Sequence, residues 1–493
     1  MGDRQDRPFE STVILRMSGE ITTKSDGIRH RFNRRLTQNL RDALEREGIE
    51  GIVRDQWYRV DVVTEDRRAL EVGKRIFGIQ GLLFCRAYNW ETVDDIVEIG
   101  AELFSEKVNQ KTFAVRTRRV GFRQQIPISG SAVDRALGAR LVAAGGIVNL
   151  SDHQVRVGVE VRRDQVLFYE EDHPGQGGLP GGVEGRALAM MSGGFDSAVA
   201  AWTMMRRGVD LDFLFFNLAG PPQRRAVQRV VKHLSSRWAY GYAPRMHIVD
   251  LRPLIVEMRQ KVEGRLWQCL LKRLMLRAGE YLAQRKSLVA LVTGESCGQV
   301  SSQTLENLAA ISAPIRTGIF RPLVGMHKEE IIDRARQIDT YEVCAGNPEF
   351  CDLQGGPPAV DATAEELDEA EALLDLEFLR ELVDLRRILK PLEMEIDEEI
   401  HIEAREIPHG FIAIDLRGEK DFQRWHLDGA VHMSMDRAME QALLLPKEGR
   451  YLLYCEVGLK SAFLAEQMKS AGFDVASFSG GVPKLKKHLK RRS

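Results

Sequence analysis

The chain has 493 residues, with 70 Lys and Arg against 71 Asp and Glu, 44% hydrophobic and 29% charged. At roughly 100–200 residues per domain this predicts about three or four domains, and the near-neutral balance excludes a uniformly basic nucleic-acid binder while allowing local basic faces. No run reaches the roughly 18 apolar residues of a membrane span, and Met1 to Glu10 is charged with no apolar signal segment, which predicts a cytoplasmic protein without membrane attachment.

Six Cys are too sparse for a disulfide scaffold and form no paired CxxC, so no metal site is predicted. In chain order, STVILRM from Ser11 reads as a strand, the stretch from Gly27 to Gly48 as an amphipathic helix, QWYRVDVVT as a second strand and RRALEVGKRIFG as a helix. Together they make a small α+β unit of about 80 residues. A helix around Val93 to Lys107 follows. KTFAVRTRRVG then reads as a strand, with Lys111, Arg116, Arg118, Arg119 and Arg123 uninterrupted by acids and suited to phosphate. The helix SAVDRALGARLVAAG and two more strands complete a second unit. Gly175 to Gly185 is Gly-rich and predicts a flexible connector.

Beyond it, apolar strands alternate with helices from ALAMM to SLVALVTGE, the pattern of a doubly wound sheet of parallel strands covered on both faces. Residues 361–400 hold 15 acidic and 4 basic residues at helical spacing, predicting an exposed acidic spacer helix. From about His401 a last α/β unit runs FIAIDLR, YLLYCE, KSAFLAEQMKSAG and VASFSGG, then a basic tail.

ALAMM runs straight into Ser192-Gly193-Gly194-Phe195-Asp196-Ser197 and a helix. Two glycines admit an anion against the backbone, and the helix start offers unpaired amides at a positive dipole end. The Lys of a Walker loop is missing. The loop resembles SGGxDS of ATP pyrophosphatases, which cleave ATP between the α and β phosphates to adenylate a substrate. That resemblance gives Asp196 a role in holding Mg²⁺ or positioning pyrophosphate. Thr293-Gly294-Glu295 ends a further strand, and Gln303 in the loop after it is a candidate for a phosphate or ribose contact. Lys328, just before a helix, is a candidate cation for charge building on the α-phosphate.

Cys455 ends the strand YLLY at the start of a loop that runs into a helix, a setting that favours a thiolate nucleophile. With Asp415, Arg417 and Gly429 upstream, the unit resembles rhodanese-type sulfurtransferase domains, whose loop Cys carries sulfur as a persulfide. Lys460 stands where an Arg is expected, keeping charge but losing the planar fork. Cys351 in NPEFC and Cys344 seven residues earlier are both candidates for a second, resolving thiol.

GEITTKS, KTFAVRTRRVG, MSGGFDS, CLLKRLMLRA, TGESCGQVSSQT, RPLVGMHK, PEFC and the last unit together resemble the tRNA 4-thiouridine synthetase (tRNA sulfurtransferase) family in its form with a rhodanese extension. The fold implied is multidomain α+β and α/β. It comprises a ferredoxin-like domain over residues 1–80, a THUMP RNA-binding domain over 81–172, a PP-loop ATP pyrophosphatase domain over 183–360, an acidic helical linker over 361–400 and a rhodanese-like carrier domain over 401–493. The resemblance assigns ATP contacts to Met190, Met191, Ser192, Gly193, Gly194, Ser197, Lys272, Gly294 and Gln303. It assigns adenylation to Asp196 and Lys328, and the two catalytic thiols to Cys455 and Cys351. The sequence departs from the family in carrying Asp352 after Cys351, where a Gly is usual, and in the nearby Cys344.

The implied reaction adenylates uridine 8 of tRNA with ATP and Mg²⁺ and replaces O4 with sulfur. A pyridoxal-phosphate cysteine desulfurase loads Cys455, and an external reductant resets a Cys351–Cys455 disulfide. The resemblance also implies sulfur supply for thiamine thiazole through a thiamine-pathway sulfur-carrier protein. Three stretches rich in Arg and Lys and free of acids, starting at Arg29, Lys111 and Pro221, are the expected tRNA faces. A small-molecule adenylating enzyme, the first rival, leaves Cys455 and the Arg-rich units unexplained. An inactive RNA-binding protein, the second, leaves two intact catalytic loops unexplained.

Overall fold

The computed structural model describes residues 10–56, 59–121, 126–345, 347, 357–396, 402–404, 406–407 and 410–490. The chain divides into two compact units: Met1–Gly185 with Met205–Asp210 and Arg237–Tyr242, and the remainder from Arg186 to Ser493.

The first unit carries strands β1 (Glu10–Met17), β2 (Ile52–Asp55), β3 (Arg59–Val63), β4 (Ile79–Asn89), β5 (Thr112–Arg119), β6 (Ile147–Val148), β7 (Val155–Val161), β8 (Gln165–Tyr169) and β9 (His173–Pro174). Its helices are α1 (Gly19–Thr22), α2 (Asp26–Arg46), α3 (Arg68–Gly73), α4 (Val93–Val108) and α5 (Gly130–Ala143). One sheet takes the order β2-β3-β1-β4-β8-β7-β5-β6, with β9 beside β4. The eleven-residue β4 was not anticipated in the sequence. It pairs antiparallel with both β1 and β8, so the sheet is continuous across residue 80. α2 buries Phe32, Leu36 and Leu40, spaced by four on one face, against β1 and β3.

The Gly-rich segment is not the flexible connector its composition suggested. Gly175 and Gly177 donate to the carbonyls of Gln80 and Ile79, Leu179 donates to Arg206 O, and Gly182 donates to Gly208 O. A Cβ on Gly178, at φ +76°, would come 2.2 Å from Arg206 O. The glycines therefore serve close backbone approach rather than chain freedom.

In the second unit, β10 (Arg186–Met191), β11 (Asp210–Asn217), β12 (Met246–Asp250), β13 (Ala290–Val292), β14 (Gly318–Phe320) and β15 (Arg387–Leu389) form a sheet in the order β14-β13-β10-β11-β12-β15. The pairs β10/β13, β13/β14 and β11/β12 are parallel, and β15 closes the edge antiparallel to β12. Around it run α6 (Phe195–Arg206), α7 (Pro221–Trp238), α8 (Arg252–Lys261), α9 (Trp267–Arg285), α10 (Leu305–Ser312), α11 (Lys328–Gln337), α12 (Tyr341–Cys344), α13 (Ala364–Ala372) and α14 (Leu376–Asp384). This is the doubly wound architecture expected.

The exposed spacer helix is corrected. The segment makes two helices, because Asp375 caps the amides of Glu377 and Phe378 and starts a new one, and then supplies β15. Leu367, Leu382 and Val383 join the main core, and Glu371 pairs with Arg273 and Arg277 of α9. A charge count cannot say which acids are paired, and here the pairing is long-range.

A third sheet, β16 (Glu403–Ala404), β17 (Ile412–Asp415), β18 (Val431–His432), β19 (Arg450–Tyr454) and β20 (Asp474–Phe478), runs in the order β16-β20-β19-β17-β18 with all pairs parallel. Its helices are α15 (Glu419–Arg424), α16 (Met435–Gln441), α17 (Leu459–Ser470) and α18 (Gly481–Leu489). Most of the expected basic tail is α18, anchored by the buried Leu485.

Candidate active site

β10 ends at the buried Met191, with Met190 packed against the core, and the chain turns through Ser192 to Gly194 into α6. Ser197 Oγ organises the turn: it donates to Gly194 O at 3.1 Å and accepts from Ser192 N at 3.3 Å and Ser192 Oγ at 3.2 Å. Gly193 adopts φ +88°, and a Cβ on it would approach Val227 of α7 at 3.1 Å. The loop thus lies at the carboxyl end of a central strand and opens on a helix N-terminus, a geometry suited to a phosphate.

Lys328, the first residue of α11, places Nζ 2.7 and 2.9 Å from the two carboxylate oxygens of Asp196, and Gln299 Nε2 donates to the same carboxylate at 2.8 Å. Gly294 lies against the first turn of α6. Beside it Glu295, buried, accepts from Thr293 Oγ1, from Arg321 at 2.7 Å and from Lys272 at 3.3 Å. Burial pushes its carboxyl up, but Lys272 and Arg321 outweigh that and hold it below the usual carboxylate range. Gln303 accepts from Ser296 N at 3.1 Å through its side-chain oxygen, which braces the loop after β13.

The described residues therefore gather the phosphate loop, Gly294, Lys272, Gln303 and Lys328 at one edge of one sheet. They add Glu295, Gln299, Arg321 and Asn347, to which the sequence reading gave no role. Gln299 and Arg321 sit inside the quoted stretches TGESCGQVSSQT and RPLVGMHK, where a polar side chain at a strand's carboxyl end was the available signal. Asn347 had none: it donates to Gly193 O at 2.9 Å, while Tyr341 stacks on Phe195 at 5.2 Å, seating α12 on the phosphate loop. Cys344, at the end of α12, is buried; burial and then Asp196 push its thiol up to about 12. Cys351 lies outside the described residues.

Cys455 caps β19 and is fully enclosed. Its Sγ accepts from Gly458 N at 3.2 Å and lies 3.6 Å from Ser461 Oγ, which in turn accepts from Ser477 Oγ at 2.8 Å. Gly458 has φ +92°, and α17 starts at the next residue. Asp415 and Arg417 form a buried pair at 2.6 Å that ties the end of β17, and Arg417 also reaches Trp425 O. Lys460 pairs with Glu456 at 3.8 Å within the loop.

The basic stretches are partly structural. Arg35 pairs with Asp210 and Arg46 with Asp42, while Arg224 is buried against Glu466. Arg116 and Arg119 donate to the carbonyls of Leu150 and Ile128 from exposed positions and keep their charge at the surface.

Family models match along the chain: a ThiI ferredoxin-like domain over residues 12–82, a THUMP domain over 91–170, Thiamine biosynthesis protein (ThiI) over 182–376 and a rhodanese-like domain over 399–488. A tRNA sulfurtransferase of Pyrobaculum aerophilum is 37% identical over 474 residues, covering 94% of this chain and 96% of that protein. The chain belongs to the tRNA sulfurtransferase family. A second member, from Thermoplasma acidophilum, is 34% identical over 98% of this chain and 97% of its own length. Among solved structures, a 4-thiouridine synthetase–RNA complex with bound ATP aligns with TM-score 0.67 and 28% identity, covering 77% of this chain and 99% of that one. The family's fold, with ferredoxin-like, THUMP, PP-loop and rhodanese-like parts, is the one expected from the motifs. No helix among the described residues is long and apolar enough to cross a membrane.

Proposed function

We propose that the protein is an ATP-dependent tRNA sulfurtransferase that adenylates uridine 8 of tRNA and replaces its O4 with sulfur carried on Cys455. The observation that carries this reading is the phosphate loop with Lys328 Nζ 2.7 Å from Asp196, in the same chain as a cysteine loop at the head of α17. The RNA and ATP in the aligned 4-thiouridine synthetase support it.

ATP lies with its phosphates on Ser192 to Ser197 and the start of α6, and Lys328 stands where charge builds on the α-phosphate. Uridine O4 attacks the α-phosphorus, the bond to the β-phosphate breaks, and pyrophosphate leaves. A ring carbonyl oxygen is a poor leaving group, and adenylation converts it into AMP. Mg²⁺ is commonly held by one or two carboxylates together with substrate phosphates. The residues fit that mode, since Asp196 offers one carboxylate on the loop. Bound there, the ion would neutralise phosphate charge.

A cysteine desulfurase loads Cys455 as a persulfide, and because Cys455 itself is fully buried the loop around it has to open for loading and for delivery. The terminal sulfur attacks C4 and AMP departs. Cys351 Sγ then closes a disulfide with Cys455 as the S–S bond to the delivered sulfur breaks, and a two-electron thiol reductant restores both. Cys344, protonated at neutral pH, is a poor resolving thiol. Docking of tRNA falls to the first unit, with Arg116 and Arg119 among its cations. Sulfur supply to a thiamine-pathway carrier protein draws on the same Cys455 persulfide.

The test incubates the protein with ATP, tRNA, cysteine and a cysteine desulfurase and reads 4-thiouridine by absorbance. Wild type is expected to thiolate position 8, Cys455→Ser to release pyrophosphate without thiolating, and Asp196→Ala to do neither. Equal thiolation by wild type and Cys455→Ser defeats the persulfide role.

A further inference from the structure

Two arginines of the nucleotide-binding part converge on one carboxylate of the rhodanese-like part. Glu466 of α17 accepts from Arg224 Nη1 at 2.7 Å through one oxygen and from Arg252 Nη1 at 3.0 Å through the other. The three side chains are 8%, 8% and 2% exposed. Arg252 also lies over the Phe463 ring of α17, at 5.9 Å. It is oriented by Asp250 at 2.6 Å, and Asp250 accepts from Asn217 at 2.6 Å. Asn217 ends β11 and Asp250 ends β12, so this cluster stands at the carboxyl edge of the sheet, the edge from which β10 enters the phosphate loop.

α7 joins the two places. Arg224 and Val227 are three residues apart and therefore neighbours on one helix face. Val227 is the side chain beneath Gly193, while Arg224, one turn earlier, holds Glu466. On the carrier side, α17 bears Ser461 against Cys455 and Glu466 against the two arginines. Buried, doubly hydrogen-bonded charges tolerate little change of geometry, and removing Glu466 takes from both arginines the carboxylate that α17 contributes.

We propose that Glu466 is a positioning residue, the latch that docks the Cys455-bearing part on the nucleotide-binding sheet for delivery of sulfur. Loading of Cys455 and adenylation of tRNA each use residues of one part only and do not depend on it. The inference rests on the sulfurtransferase reading.

Full-length Glu466→Gln and Arg224→Gln are compared with wild type in persulfide loading, tRNA-dependent pyrophosphate release and single-turnover 4-thiouridine formation. Loading and release are expected to stay within about twofold, and thiolation to fall by about tenfold or more in both variants. Each variant alters one part only, and the half-reaction carried by that part, loading for Glu466→Gln and pyrophosphate release for Arg224→Gln, reports that it is still folded. Hydrogen exchange over Leu459–Ser470 gives a reading that needs no activity: it is expected to speed up in Arg224→Gln. Thiolation at the wild-type rate in either variant, or unchanged exchange, overturns the latch. A wild type that makes no 4-thiouridine defeats the functional reading instead and leaves the exchange result to decide the latch.

Discussion

A Cβ placed on Gly294 would stand 2.6 Å from the Asp196 carbonyl carbon and 2.7 Å from the Ser197 nitrogen. Both are backbone atoms in the first turn of α6, so no side chain can swing away. Gly294→Ala must push the end of β13 off the phosphate loop. Overpacking of this kind costs about 1–3 kcal/mol, and pyrophosphate release is expected to fall by about 100-fold or more, equivalent to about 2.7 kcal/mol in the barrier. Thermal melting together with a pyrophosphate assay checks it. A folded variant releasing pyrophosphate at the wild-type rate would contradict the contact.

Lys328 and Asp196 are expected to fail together. Lys328→Met removes the cation from both Asp196 oxygens and leaves Gln299 on one of them. Release of pyrophosphate should drop by about 10²–10³, the scale for losing one preorganised charge donor. Lys328→Arg should restore little, because a planar fork does not replace a compact ammonium. Persulfide loading of Cys455, measured by mass spectrometry, should be untouched in both.

The site was legible where its chemistry is written in consecutive residues. Ser192 to Ser197 follow a strand and precede a helix, and Cys455 does the same, so period and punctuation placed both loops. What stayed hidden depends on partners far along the chain. The acids of 361–400 read as a solvated face, yet Glu371 is spent on Arg273 and Arg277. The cationic run from Pro221 read as an RNA face, yet Arg224 is spent on Glu466. Gly175 to Gly185 read as loose because glycine permits both a free chain and a tightly packed backbone, and composition does not separate the two. Strand β4 went unseen because its eleven residues, buried on both faces near the middle, lack a clean alternation.

The buried Glu371 gives the corrected linker an energetic test. Arg273 is fully buried, and its Nη1 lies 3.4 Å from Glu371 Oε2, while Arg277 Nε reaches Oε1 at 2.7 Å. Glu371→Ala leaves Arg273 with Asp368 and the Ala310 and Ala364 carbonyls but takes both carboxylate contacts from Arg277, and should cost about 1–3 kcal/mol, read as a lower denaturant midpoint. Glu369→Ala, exposed on the same helix and without such a partner among the described residues, should change the midpoint by under about 0.5 kcal/mol. An exposed spacer would give the same small effect at both positions.

The thiols should separate by access. Cys297 is exposed, whereas Cys344 and Cys455 are buried. In the resting protein iodoacetamide is expected to modify Cys297 first, with Cys344 and Cys455 following only as their segments open. Cys344→Ser should keep thiolation within about twofold of wild type, while Cys351→Ser should leave the delivered sulfur joined to Cys455 as a mixed disulfide and release no 4-thiouridine until an external thiol is added, where wild type completes one cycle. A dead Cys344→Ser beside an active Cys351→Ser would exchange their roles.

His247 makes the sheet edge sensitive to acid. It is fully buried on β12, in register with Ile388 of the edge strand β15, and its Nδ1 accepts from Arg386 Nε at 3.4 Å. Burial first, and then the charges of Arg386, Lys286, Arg245 and Arg186, together lower its pKa from 6.5 to about 4. The ring is therefore neutral in the fold, while in the unfolded chain it gains a proton as pH falls through 6.5. Between these values the unfolded state binds more protons. The stabilisation is thus fully present above pH 6.5 and is lost as pH drops towards about 4. The loss amounts to at most about 3 kcal/mol. Denaturant midpoints at pH 7.5 and pH 5 read it. His247→Gln keeps an acceptor for Arg386 without a titrating ring, so its midpoint should fall less than that of wild type between the two pH values. Equal falls would remove His247 as the source.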